Sequence, residues 1–456
     1  MDTHVRSEEA YRLMHDGILA LARAERQGIR VDMEYVERKR IQLARRMQQL
    51  EDSFKATSLY RHWEHSTKGK VNINSGVQLG NFLYGVKKIE PTRFTDTGKG
   101  STDEEALQEL AIPELEFLVK RNKYKKALDV LEAFAREQVD GYIHPFFNLH
   151  LVRTFRSSSD SPNFQNIPKR DAEMYSICRK ALFPRPGHQL LEVDYGQLEV
   201  RISYCYNRDP KLEYDIIHGD MHADMAREIF LLDSLDKSRS DHKVLRQAAK
   251  NGFVFPQFYG DYFKNCATNI ANGWCKLPKG KWSKGMGVTF EEGNISDHLI
   301  SKGIKSFSAF ENHIKRIETD FWEKRYPDYT AWKDRWYETY KKYGYIDMFT
   351  GFRCWGPMSR NDSINYPVQG AAFHCLLWSF IQLDKLLLSE GLQSRLIGQI
   401  HDSMILDVLP EELEYLKEKI HKITCEDLPA TWKWIIIPLE VDMEVYPVDS
   451  PWIEEK

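Results

Sequence analysis

LLEVDYGQLEVRI (190–202) and LIGQIHDSMILDV (396–408) each carry a carboxylate, Asp194 or Asp402, after an apolar run. Each run has the pattern of a buried strand that delivers one charged side chain to its end. An unpaired buried carboxylate is costly, so two of them brought together are normally held by cations. Two divalent metals about 4 Å apart, clamping an attacking and a leaving phosphate oxygen, are a standard solution for phosphoryl transfer. An Asp at a strand end is also a common turn residue. The chain between the two stretches decides between these readings.

Composition sets the bounds. At 456 residues the chain exceeds one ordinary core and predicts about two to four subdomains. Hydrophobic residues at 42% and charged residues at 29% are globular values. No stretch reads as the roughly 20 apolar residues of a membrane span, and the N-terminus MDTHVRSEEA lacks an apolar signal core. No membrane partner is expected. Seven scattered Cys predict reduced thiols and a cytoplasmic setting; Cys266 and Cys275 have no partners at zinc spacing. With 64 basic and 67 acidic residues, bulk charge gives no nucleic-acid signal. Charge is locally segregated, however: ERKRIQLARRMQQL (37–50) and VKRNKYKKAL (119–128) are basic, whereas 102–115 and 411–418 are acidic. Alone, each basic segment is most simply a solvated helix face.

Helical periodicity over 8–55 is interrupted by GIRVD (28–32), which reads as a turn. Further helices are predicted at 77–85, 103–110, 113–137, 197–207, within 220–262 and 306–343, and at about 366–390 and 410–425. VRTFRSSSDSPNFQNIPKR (152–170) reads as extended and polar, 265–305 as a Gly-, Asn- and Lys-rich loop insertion, and IIIPLEVDMEV (435–445) as a final strand. Arg246 and Lys250 are four residues apart, which places both cations on one helical face. That face suits triphosphate oxygens, Lys as a point charge and Arg as a fork.

Five blocks in fixed order carry the functional signal: RTFRSSSDSPNFQNIP (153–168), DYGQLEVR (194–201), RQAAKNGFVFPQFYG (246–260), INYPVQGAA (364–372) and IHDS (400–403). Together they resemble the family A DNA polymerases, bacterial DNA polymerase I and its phage relatives, from about residue 15 onward. The resemblance implies an α+β right-hand fold with an antiparallel-sheet palm, helical fingers and a helical thumb. It implies a lead-in segment at 1–34, thumb at 35–138, palm at 139–222 and 355–456, and fingers at 223–354 with the 265–305 insertion. Asp194, Asp402 and the Tyr195 backbone would hold two Mg²⁺, with Mn²⁺ able to substitute. His222, Arg246, Lys250, Phe255, Tyr259, Gln197 and Glu199 would bind the dNTP, Glu199 excluding a 2′-hydroxyl. Arg156, Gln165, Asn166, Asn365, Gln369 and His401 would contact primer-template DNA, in part through the minor-groove acceptors present in every base pair. The basic helices would grip phosphates from the thumb. The expected enzyme is a monomeric DNA-directed DNA polymerase, with 265–305 a candidate surface for a replisome or processivity partner.

The chain departs from the family pattern in three places. One extra residue lies between Lys250 and the aromatic four before Tyr259, and Pro256 follows, so the helix should bulge; Phe255 is the expected pocket residue and Phe253 the alternative. Ser403 stands where many relatives have Glu, a feature shared with single-subunit phage-type RNA polymerases, which makes such an enzyme the nearest rival. A catalytically weak DNA-binding remnant is the other. Finally, Asp32 and Glu34 imitate the start of an exonuclease site, but too little chain precedes them for such a domain of roughly 100 residues or more, so no 3′–5′ exonuclease is expected here.

Overall fold

A computed structural model describes residues 4–95, 97–168 and 171–453; Lys169 and Arg170, at the end of the predicted extended stretch, lie outside it. The two Asp-bearing runs form strands of one antiparallel sheet. Its members are β1 (Gln189–Tyr195), β2 (Arg395–Ile400), β3 (Ser403–Val408) and β4 (Val441–Val445), in the order β2-β3-β1-β4. Leu190, Leu191 and Val193 of β1, and Met404, Ile405, Leu406 and Val408 of β3, are fully buried. Burial on both sheet faces explains why these strands read as continuous apolar runs rather than alternating ones.

The Arg360–Ser389 helix packs on β2 and β3, and the Glu8–Gln27 helix packs on both that helix and β2. The long helix starts before the predicted 366. Ser359 and Asp362 form a capping box at its N-terminus, and it continues through Pro367. Contrary to the sequence reading, this helix is long and apolar enough to cross a membrane, with a mean hydropathy of 1.3 in its most apolar window. That window is 72% buried inside the protein, which identifies it as a core helix.

Helices extend from the sheet as two lobes. In the first, the Met33–Lys55 and Leu115–Glu137 helices pack together, and Phe54, Trp63, Phe82, Leu107 and Leu118 form a separate small core. The second lobe contains the Met221–Phe230, Ser240–Ala249, Phe307–Asp320 and Pro327–Tyr343 helices, whose apolar faces join the main core.

Three local expectations change. GIRVD is a strand, Ile29–Val31, paired on one side with Tyr142–Ile143 and on the other with Leu182–Phe183. Ile29 and Val31 are buried there, so tertiary pairing overrides the turn signal of Gly28. The predicted loop at 265–305 contains helices at Phe263–Thr268 and Ile295–Ser301 and a short Thr289–Phe290/Gly293–Asn294 hairpin. Buried Ile270, Leu277, Trp282 and Leu299 anchor it despite its polar composition. The last strand covers only Val441–Val445; Ile435, Ile437 and Leu439 are buried without ladder pairing, next to Pro438, which has no N–H to donate.

Candidate active site

Strand register brings the two acids together. Asp194 pairs across the sheet with Ser403, and Asp402 occupies the two-residue turn joining β2 to β3. The Tyr195 N–H donates to the Asp402 carbonyl at 3.3 Å, and Ser403 Oγ donates to Asp194 Oδ1 at 2.8 Å. Two non-glycine residues at this edge adopt left-handed backbone, His401 (φ 52°) beside Asp402 and Gln197 (φ 53°) between β1 and the Leu198–Asn207 helix. Such conformations cost on the order of 1–3 kcal/mol each and concentrate at functional sites. Here they turn the chain sharply and leave both acids at one end of the inner strands β1 and β3.

Glu199 lies in the first turn of the helix after β1 and is held from two sides. It accepts from Tyr259 Oη at 2.6 Å, and Arg156 Nη1 lies 3.2 Å from its other oxygen. Arg156 Nη2 is 3.5 Å from Asp402 Oδ1, so one guanidinium links Glu199 to the acid pair. Burial first, and the Glu199 carboxylate next, push the Tyr259 phenol well above its ordinary value. Tyr259 therefore keeps its proton and donates a hydrogen bond to this carboxylate across the physiological range.

The segment bearing Tyr259 resolves the extra-residue problem. Lys250–Val254 forms a π turn in which the Phe255 N–H bonds back five residues to the Lys250 carbonyl. A π turn accommodates one inserted residue without ending the helix. Pro256 falls in the first turn of the Phe255–Phe258 helix that follows. Phe253 is fully buried with its ring edge-on to Phe321 at 5.4 Å, so it is a core residue. Phe255 instead meets His222 edge-on at 5.7 Å, and Lys250 Nζ lies 5.2 Å from its ring centre. Of the two candidate aromatics, Phe255 is the one that faces the cationic residues. Gly252 permits the close approach behind the turn, since a Cβ there would sit 2.6 Å from Ile270 Cγ1.

His222 is buried, and Nδ1 makes no hydrogen bond. Burial first, then Lys250 and Arg246, lower its pKa to about 4, so it is neutral at pH 7. Arg246 is gripped by Asp220 through Nε and Nη2 at 2.9–3.2 Å, and Lys237 reaches the same carboxylate at 2.6 Å. Burial opposes charge on Asp220, but Arg246 and Lys237 hold it well below the usual carboxylate range. Asp220 and Lys237 escaped the sequence reading. Asp220 has the signature of an N-cap, which it also is, accepting from the Ala223 N–H.

The residues expected to meet DNA separate into two groups. Asn365 Nδ2 donates to the Tyr259 carbonyl at 2.9 Å and Asn361 Nδ2 to the Gly260 carbonyl at 3.0 Å, tying the long core helix to the end of the Tyr259 segment. Gln369 lies one helical turn beyond Asn365 and is half-buried. Gln165 donates inward to Gln399 Oε1 at 2.7 Å and to Ser157 Oγ at 2.9 Å, beneath the His401 turn. Asn166 and His401 are exposed. Asp32 and Glu34 lie elsewhere: Asp32 caps the Met33–Lys55 helix by accepting from the Tyr35 N–H at 2.9 Å.

The donor chemistry at the sheet edge fits a hard divalent cation. Asp194 and Asp402 offer carboxylate oxygens, and the Tyr195 N–H donates to the Asp402 carbonyl, which keeps the two acids close. No cluster of three or more His, Cys, Asp or Glu at metal-binding spacing occurs among the described residues. A site with two carboxylates matches an ion such as Mg²⁺ that keeps waters and shares substrate phosphate oxygens. The seven Cys are free thiols, six of them buried.

Known proteins match this fold and this sequence. A solved structure described as the POL domain of Pol1 from M. smegmatis in complex with DNA primer-template and dNTP superposes with a TM-score of 0.72 at 23% identity, covering 97% of this chain and 70% of that one. The sheet and its two lobes are therefore a right-hand polymerase fold. The family model for DNA polymerase family A matches residues 33–275 and 294–448, and the chain belongs to that family. Relatives include DNA polymerase I of Rhizobium leguminosarum, 27% identical over 92% of this chain, and the thermostable DNA polymerase I of Thermus filiformis, 28% identical over 96%. A DNA polymerase of Bacillus phage SP01 is 25% identical over 84% of the chain. The chain spans only 38–47% of the length of these relatives.

Proposed function

We propose that this chain is a polymerase module that adds dNTPs to a primer 3′-hydroxyl under the direction of a template strand. The observation that carries the reading is the contact of Tyr259 with Glu199, next to the Asp194–Asp402 edge, at 2.6 Å. It sets the end of the cationic helix segment against the acids, with a carboxylate in between.

Asp194, Asp402 and the Tyr195 carbonyl would hold two Mg²⁺ or Mn²⁺; when bound, these ions supply activation of the hydroxyl and neutralisation of leaving-group charge. Arg246, Lys250 and His222 receive the triphosphate. Asp220 orients Arg246, and neutral His222 contributes a hydrogen bond without charge. Phe255, Tyr259 and Gln197 enclose the nucleoside, while Glu199, pinned by Tyr259 and Arg156, fills the space beside C2′. Asn365, Gln369, Asn166 and His401 face primer-template DNA; Arg156 and Gln165 support that surface from within the palm. In this reading the first lobe (35–138) is the thumb, the second (223–354) the fingers, and the sheet with 139–222 and 355–456 the palm. The enzyme acts as a monomer in the cytoplasm, of the host if the chain is phage-encoded.

Primer extension on a defined template tests this. The expected result is metal-dependent extension with dNTPs, without a promoter, and no removal of a mismatched 3′ end. Preference for NTPs would favour the RNA polymerase reading to which Ser403 points, and absence of any extension would leave a DNA-binding remnant. Metal-dependent loss of the mismatched end would show that the chain also carries an exonuclease activity.

A further inference from the structure

The family match stops at residue 275 and resumes at 294. The intervening 276–293 segment is lysine-rich, with Lys276, Lys279, Lys281 and Lys284. It is built onto the second lobe rather than trailing from it. Trp282 is 3% exposed and packs against Phe310 with ring centres 5.8 Å apart. The Trp282 N–H bonds to the Lys305 carbonyl at 2.9 Å, and the Phe307 N–H to the Gly280 carbonyl at 2.8 Å. Trp282 Nε1 donates to the Pro278 carbonyl at 2.8 Å, closing the tip of the segment on itself.

The arm so formed presents Lys279 to the other lobe. Lys279 Nζ donates to Glu109 Oε2 at 3.0 Å. Glu109 ends the Glu104–Glu109 helix, and its side chain is only 5% exposed. Arg93 Nε donates to its other oxygen at 2.9 Å and also pairs with Glu105. The receiving carboxylate is therefore fixed before Lys279 arrives. A right-hand fold sets thumb and fingers on opposite sides of the palm, so a contact between them closes a ring of protein: palm, thumb, arm, fingers and back to palm.

We propose that the 276–293 segment is a strap that docks on the thumb through Lys279 and Glu109 and retains duplex DNA between successive nucleotide additions. This rests on the polymerase reading. Lys279 is 36% exposed, and an ion pair so placed is weak and salt-sensitive. The strap therefore opens readily to admit primer-template and closes again behind it. Retention comes from topology, not from the strength of the pair.

Two experiments test the strap. The first measures run length per binding event on a singly primed template, with excess unlabelled DNA as a trap. K279E is expected to shorten runs at least threefold while leaving the rate of a single correct addition unchanged. The second uses a Lys279→Cys, Glu109→Cys double variant, cross-linked with a bis-maleimide after binding primed circular or linear DNA. Circular DNA should stay bound through a high-salt wash and linear DNA should slide free, while cross-linking before DNA addition should block loading of the circle. Unchanged run length in K279E, or equal release of circular and linear DNA, overturns the proposal. Failure of the unmodified protein to add any nucleotide would instead count against the polymerase reading, since the retention assay requires no synthesis.

Discussion

The inner strand that bears Asp194 and the Lys250–Tyr259 helix segment both place candidate site residues, but they tolerate sequence change differently. In the sheet, Asp194 is fixed by pairing with Ser403 on β3 and with Asp442 on β4. Side chains alternate along a strand, so a one-residue slip would turn Asp194 to the opposite face. In the helix segment an extra residue is present, and the Lys250–Val254 π turn absorbs it while Phe255 and Tyr259 still reach the site. A helix can take up an inserted residue by changing its local hydrogen-bond step, whereas in a strand paired on both sides the extra residue must bulge and disrupts the ladder on each side.

The sharpest test of that contrast uses the acids and the register that holds them. Asp194→Asn or Asp402→Asn should reduce nucleotide addition by roughly a thousandfold or more while leaving the circular dichroism spectrum intact. Deleting Val193 should be as damaging, because it reverses the facing of the strand residues that precede it. Deleting Asn251, which converts the π turn to an ordinary α turn, should cost no more than about tenfold in single-nucleotide turnover. Equal damage from the two deletions would break the comparison.

A second pair of changes concerns how the helix segment meets the palm. Glu199→Ala should raise ribonucleotide incorporation, measured as the ratio of kcat/KM for dNTP and NTP, on the order of tenfold to a hundredfold. Tyr259→Phe, which keeps the ring but removes the bond to Glu199, should shift the same ratio by less. Unaltered sugar selectivity in Glu199→Ala would remove that residue from the pocket. Ser403→Ala deletes a hydrogen bond to a charged acceptor, an interaction of about 1.5–3 kcal/mol. It should raise the Mg²⁺ concentration for half-maximal activity on the order of tenfold to a hundredfold, with weaker binding also visible by calorimetry of the DNA complex.

The last test concerns acid stability rather than turnover. The pKa of His222 is lowered from 6.5 to about 4, so the unfolded chain takes up a proton there before the folded one does. Its contribution is present above about pH 6.5 and is lost as pH falls toward 4, on the order of 3 kcal/mol in all. His222→Gln should flatten that part of the stability profile in urea melts at pH 4 to 7. A profile identical to the parent protein would show that His222 is not buried in its neutral form.

Legibility of the site followed the range of the interactions. Asp194, Glu199, Arg246, Lys250 and Asp402 were legible as candidates because each lies in a contiguous motif block. Phe255 was readable only as one of two aromatics; the choice between it and Phe253 depended on which ring faced His222 and which faced Phe321. Asp220 and Lys237 were missed because Asp220 lies 26 residues from Arg246, the cation it grips, and Lys237 joins the cluster only through Asp220. Gln165 and Asn365 were read as DNA contacts; in the structure Gln165 bonds to Gln399 and Ser157 and Asn365 to the Tyr259 carbonyl, partners that spacing does not reveal. The ordered core of 265–305 was hidden because its apolar anchors are sparse and irregularly spaced.

By itself the sequence determined the strands that carry the two acids, most helices, the order of the motifs and the one-residue mismatch at Lys250. These follow from periodicity and local backbone chemistry. Tertiary structure alone decided how the mismatch is absorbed, which carboxylate holds Arg246, and that Lys279 spans to Glu109 across 170 residues of chain. Each depends on which groups approach within hydrogen-bonding distance once the core has closed, and a linear pattern does not encode that distance.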